Sequence, residues 1–149
     1  MDIGPAVVLV LNMLHLKLPN EFELHVTSHH LSNSSRFNED NLGIGIRFPI
    51  KNTERFGFTA GAYNNSYDRN SFYAGITFDH DMCKNSKYVC KAGIIGGLVS
   101  GYDKHTSASA IQPIALPQLT LGYKNLFIRS RFIPKINKET SAVFSFSVG

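Results

Sequence analysis

Apolar residues recur at every second position through most of this chain, the period of a strand with one apolar and one polar face. Phe22, Leu24 and Val26 share one face, with Glu23, His25, Thr27 and His29 on the other. Leu42, Ile44 and Ile46 alternate with Gly43, Gly45 and Arg47, and Phe56, Phe58, Ala60 and Ala62 with Gly57, Thr59, Gly61 and Tyr63. Phe72, Ala74, Ile76 and Phe78 alternate with Tyr73, Gly75 and Thr77. Segments 87–99, 116–123, 126–133 and 142–148 bring the count to eight. Strict alternation places His29 with His25 and His30 on the apolar stripe. The prediction is an all-β fold, an eight-stranded antiparallel up-and-down barrel over residues 21–149. A short apolar N-terminal segment, residues 1–20, packs outside it.

The connections sharpen this picture. Residues 32–40 form a polar, Asn/Ser-rich loop, and 100–115 reads as the longest one. Tyr123-Lys124-Asn125-Leu126 leaves only a two-residue hairpin turn. In such a barrel the odd-numbered strands all end at one rim, which gathers His29-His30, Asn65-Ser66 and Ser100-Gly101-Tyr102. Longer loops at one rim and shorter turns at the other are the arrangement of outer-membrane barrels. At the N-terminus, the run from Ala6 to Leu11 is too short to span a bilayer as a helix. It reads as a packed segment or the stump of an export signal, with Asp2 where such signals carry a basic residue.

Composition changes the picture little. The 149 residues are 43% hydrophobic and 17% charged, which is ordinary for one domain. The 12 glycines and 11 phenylalanines suit close strand packing and barrel curvature. The net charge of +4 is scattered, with no basic run interleaved with aromatics, so no nucleic-acid partner is expected. An apolar stripe on every strand fits a lipid-facing wall or a soluble core equally. Arg129 and Arg131 suit a hydrated lumen; the lack of Trp and the terminal Gly149 point the other way. Cys83 and Cys90 face each other across a hairpin centred on Ser86. A disulfide there implies an oxidising compartment, and two reduced thiols fit the same spacing.

The candidate chemistry lies at the rim of the odd-numbered strand ends. A His beside a Ser is the minimum for a base-activated hydroxyl, and Asp68, Glu39 or Asp40 could orient the His. Ser, Asn and Asp also gather at turns to satisfy backbone groups. His25 and His29 lack a third ligand, so no metal is expected, and no motif calls for a cofactor.

Several segments resemble the lipid A palmitoyltransferase (PagP) family of eight-stranded outer-membrane barrels. Arg36-Phe37-Asn38-Glu39 followed by Gly43-Ile44-Gly45 is similar to the family's Arg-Tyr-Asn-Glu and Gly-rich strand. Asn65-Ser66-Tyr67 stands where the family has Asp-Ser-Phe. Ile114-Ala115-Leu116-Pro117, Leu121-Gly122-Tyr123 and Phe132-Ile133-Pro134 resemble its late signature. The resemblance implies an outer-membrane acyltransferase that binds phospholipid and lipid A and moves an acyl chain from one to the other. It implies a catalytic site of His29 or His30 with Ser66, and Asn65 at the family's aspartate position. Tyr102 would bind substrate, and Pro117 and Pro134 would mark where the wall opens. The chain also resembles short tailed-phage proteins, through Asn41-Leu42-Gly43-Ile44-Gly45, Tyr63-Asn64-Asn65-Ser66 and Tyr73-Ala74-Gly75. That likeness carries the alternative of a non-catalytic, phage-encoded barrel, soluble, with a structural or host-interaction role.

Overall fold

The computed structural model of the protein describes residues 4–31, 38–102, 110–134 and 142–149. One helix, α1 (Gly4–Met13), precedes eight strands: β1 (Glu21–His30), β2 (Gly43–Pro49), β3 (Phe56–Asn64), β4 (Asn70–Asp81), β5 (Tyr88–Ser100), β6 (Ile111–Tyr123), β7 (Leu126–Ile133) and β8 (Val143–Val148). Each strand pairs with the next, and β8 pairs with β1 to close the barrel. We call the rim at the end of β1 the upper rim and the opposite one the lower rim. Arg36 and Phe37 of the first motif lie outside the described residues.

The period-2 pattern resolves in one direction: the apolar stripes face outward. Phe22 is 64% exposed and Leu126 76%, with Leu42, Ile44, Phe72, Leu98, Leu121 and Ile128 on the same outer wall. The inward face carries Glu23, Arg47, Thr77, Asp79, Gln118, Thr120, Arg129 and Arg131, all buried. Charged side chains enter a barrel interior only when paired, and these are. Arg129 reaches Glu23 at 2.7 Å and Glu21 at 2.8 Å, and Arg131 reaches Glu23 at 2.7 Å. Arg129 Nε donates to Thr120 Oγ1, Arg131 Nε to Gln118 Oε1, and Gln118 Nε2 to Asp79. Arg47 donates to Thr77 at 3.0 Å and stands 3.7 Å from Asp79. One network thus ties β1, β2, β4, β6 and β7 across the lumen. Glycine makes room for its largest neighbour: a Cβ at Gly61 would meet the Tyr73 ring at 2.6 Å.

Two expectations from strict alternation are corrected. In β1 the pairing with β8 slips between His25 and Thr27, a bulge that inserts one residue. Beyond it the faces exchange, so Ser28 and His30 point inward and His29 points out. The second correction concerns β6, which starts at Ile111 and shortens the loop expected over 100–115. Counting back from the two-residue turn, odd-numbered residues of β6 present their N–H to β7. Pro117 has no N–H to give, and the β6–β7 ladder ends beside it at Gln118↔Arg131. The missing donors of Pro113 and Pro117 do not face β5, and the β5–β6 ladder runs unbroken from Tyr88↔Tyr123 to Ser100↔Ile111.

The lower rim is tied in two places. Lys17 N donates to Pro49 O and Lys51 N to His15 O, which docks the segment after α1 beside β2. Leu11 and Leu16 are buried there, while Val7, Leu9, Val10 and Met13 stay exposed. A disulfide joins Cys83 to Cys90 across the β4–β5 hairpin, with the Cα atoms 5.2 Å apart.

Replacing Arg129 with Met removes the closest partner of Glu21 and one of the two arginines on Glu23, leaving Glu21 with Lys91 at 3.5 Å and Arg47 at 3.9 Å. The expected cost is about 3–5 kcal/mol of stability, read as a lower urea midpoint in detergent micelles. An unchanged midpoint would mean that lumen water solvates these carboxylates well enough to make the pairing dispensable.

Candidate functional site

Above the ionic network the inward face changes character. Ile95, Val99, Ile114, Leu116, Ile133 and Val143 replace the charged residues and line a cavity of about 160 Å³. Its floor is His25, Tyr73 and Arg131. His25 Nε2 lies 3.0 Å from the Tyr73 hydroxyl, and that hydroxyl lies 3.4 Å from Glu23. The pocket is therefore apolar along its walls and closed below by hydrogen-bonded polar groups. Ile95, at 1% exposure, is the best buried of the wall residues.

The mouth lies at the upper rim, where Tyr63, Ser66, Tyr67, Tyr102 and His30 border the cavity. The Tyr63 and Tyr102 hydroxyls are 2.9 Å apart, and Tyr67 meets the Tyr102 ring edge-on at 6.0 Å. Burial raises Tyr102 well above the usual phenol range, so its hydroxyl stays neutral. His30 comes from the inward side of the β1 bulge, and its side chain is 2% exposed. The Glu39 carboxylate stands 3.6 Å from His30 Nδ1 and accepts the His30 backbone N–H at 3.0 Å. That backbone N–H, together with the two nearby imidazoles, holds the Glu39 carboxyl below the usual carboxylate range.

The wall beside this mouth has two gaps. The β1–β2 ladder stops at His25↔Gly43, and the residues of β1 above it bind the loop instead. Ser28 N and Thr27 Oγ1 both donate to the Glu39 carbonyl, at 2.9 and 2.7 Å. The second gap lies above Gln118↔Arg131, where Pro113, Ile114 and Leu116 on one side and Ile133 and Pro134 on the other border the cavity.

The sequence-derived candidates separate accordingly. His30, Ser66, Tyr102 and Pro134 meet at the cavity. His29 faces out with 63% side-chain exposure, 3.7 Å from Glu39. Pro117 lies on the outer wall at the lower edge of the second gap. Asn65 is fully buried beneath the mouth, where its side chain holds the turn together. It donates to Ser71 Oγ and to the Gly101 carbonyl and accepts from the N–H groups of Tyr67 and Arg69. The apolar cavity wall is the feature that strand alternation passed over. Its signal is the pair of segments 94–99 and 114–117, where both faces of a strand are apolar at once. Among the described residues no group of three or more His, Cys, Asp or Glu could hold a metal ion.

Comparison with known proteins finds no protein-family profile and no curated protein that matches this chain.

Asn65→Asp tests the turn directly. A carboxylate at that place cannot donate to Gly101 O, so the variant is expected to lose about 2 kcal/mol in the same urea titration. A gain in stability would show that the amide is not the group the turn needs.

Proposed function

We propose that this barrel sits in an outer membrane with its apolar wall against lipid, and that it binds an acyl chain in the upper cavity. The observation that carries this reading is the inversion of the faces: an exposed apolar exterior surrounds a paired, charged interior. A soluble barrel would do the reverse, since contiguous apolar surface of this extent is costly in water. β1 and β3 to β6 hold 9 to 13 residues each, enough for tilted strands to cross a bilayer. Tyr88 and Tyr123 form an exposed aromatic pair at the lower rim, where membrane barrels carry their girdle. No described helix is long and apolar enough to cross a membrane; in this reading the strands do so.

Within that setting the proposed reaction is acyl transfer from a phospholipid to a lipid A hydroxyl. The chain lies along Ile95, Val99, Ile114 and Leu116, and its ester sits at the mouth beside Ser66 and His30. Ser66 Oγ attacks the ester carbonyl while His30 takes its proton. The proton passes to the lysophospholipid oxygen as that group leaves. An acceptor hydroxyl then gives its proton to His30 and takes the acyl group, and that proton returns to Ser66 Oγ as it leaves. The second wall gap, bordered by Pro113 and Pro134, offers a lateral route by which a lipid tail reaches the cavity without crossing the aqueous mouth. One observation favours a second reading, a non-catalytic barrel of phage origin: the Asn65 side chain is spent on the turn next to Ser66.

Expressed with an export signal, the protein is expected in the outer-membrane fraction, with a heat-dependent mobility shift on a denaturing gel. Lipid A from those cells should gain one acyl chain by mass spectrometry. Ser66→Ala should abolish that gain and keep the mobility shift. Transfer that survives this substitution would remove Ser66 from the chemistry, and a detergent-free soluble particle would remove the membrane reading altogether.

A further inference from the structure

We infer that Glu39 is the positioning carboxylate of this site, holding the His30 imidazole so that its second nitrogen, Nε2, serves Ser66. The inference rests on the acyl-transfer reading of that site and adds to it the residue that sets the base. A histidine that exchanges a proton with a hydroxyl works best when a carboxylate fixes its tautomer and orientation. The described upper rim offers three acidic residues for that task. Asp68 is taken up by Asn64, whose amide donates to it at 2.8 Å. Asp40 is exposed, and its backbone N–H is bound by Asn38 in the loop. Only Glu39 has its carboxylate against His30, 3.6 Å from Nδ1, with the same oxygen bound to the His30 backbone N–H at 3.0 Å. Asn65, next in sequence to Ser66, carries no charge, and its side chain bonds to the N–H groups of its own turn, to Ser71 Oγ and to the Gly101 carbonyl.

The placement of Glu39 is itself built. Its carbonyl accepts Ser28 N and Thr27 Oγ1, so the residue lies along the edge of β1 that β2 leaves unpaired. The preceding loop residue, Asn38, donates its N–H to the Ser66 carbonyl at 2.9 Å. One short segment therefore touches both the strand that carries His30 and the turn that carries Ser66. The β1 bulge supplies the remaining condition, since without it His29, not His30, would face the cavity.

The test uses the full chain refolded in micelles, with mixed vesicles of phosphatidylethanolamine and lipid A as substrate. Glu39→Gln should lower kcat about 100-fold or more with KM little changed, and Glu39→Asp should restore part of the loss. Asp68→Asn, which suits the left-handed backbone at that position (φ 58°), should leave kcat within about twofold. A retained heat-dependent mobility shift shows that each variant folds. The ring nitrogens of ¹⁵N-labelled His30 give a readout independent of turnover. Wild type should show the Nδ1–H tautomer near neutral pH, and Glu39→Gln should lose that preference. An unchanged kcat in Glu39→Gln would overturn the inference, as would an unchanged His30 tautomer. If the wild type transfers nothing, the acyl-transfer reading fails, and the tautomer comparison still decides whether Glu39 sets His30.

Discussion

Everything in this fold follows from pairing Glu21 and Glu23 with Arg129 and Arg131 inside the barrel. β1 and β7 are not neighbours; β8 stands between them and contributes Ser145 and Ser147 to the same inward row. Two long arginines can cross the lumen to β1 because the intervening strand offers only small side chains. An unpaired carboxylate there would cost several kcal/mol, so the pairing fixes which face of each strand turns inward. A one-residue slip of any one of these strands would exchange its two faces, placing its charges on the apolar wall and its apolar residues among the partner charges left in the lumen. The apolar exterior is thus the other half of the same choice.

The cavity exists because the network stops. Below the level of Tyr73 and Arg131 the lumen is cross-linked by hydrogen bonds. Above it, β5 and β6 turn aliphatic side chains inward, and these line the open space. The openings in the wall occur at the same height. One is set by Pro117, which cannot donate to β7. The other is set by the β1 bulge, after which β1 binds the 38–40 segment instead of β2. Both gaps therefore trace to local backbone chemistry, and both open onto the aliphatic part of the lumen, not the ionic part.

Much of this was legible in the sequence. Eight alternating segments and a two-residue turn specify the barrel and its closure, and the cysteine spacing matched the bridge. What alternation could not supply was the direction of the stripes, because an apolar row reads the same against lipid or against a core. That direction is decided by long-range pairing, such as Glu23 with Arg129, which leaves no local trace. The bulge at Val26 escaped for a related reason. Its run of Val, Thr, Ser and His has no Gly or Pro to mark an inserted residue, so the faces of His29 and His30 were exchanged. The start of β6 lies beyond the predicted segment 116–123, across Pro113, and proline is commonly taken as a strand breaker. That rule applies only on the side where a donor is needed.

The bulge also explains why the site could gather where it does. A strand that ran regularly from Glu21 to His30 would keep its odd residues inward and send His29 into the lumen. It would also set the unpaired edge of β1 one residue out of step with the loop. Shifting the register by one residue past His25 aligns Ser28 N and His30 N toward the 38–40 segment, where a single residue, Glu39, takes both with its carbonyl and its carboxylate. Main-chain and side-chain positions are then set by the same contact. A loop held at two points on one strand and at a third on the Ser66 carbonyl has little freedom to shift alone. Any motion that opens the gap between β1 and β2 must also draw the carboxylate away from His30. The width of that gap and the orientation of the His30 imidazole are therefore mechanically coupled, whereas the proline-bordered gap on the far wall can open with the Glu39–His30 contact intact.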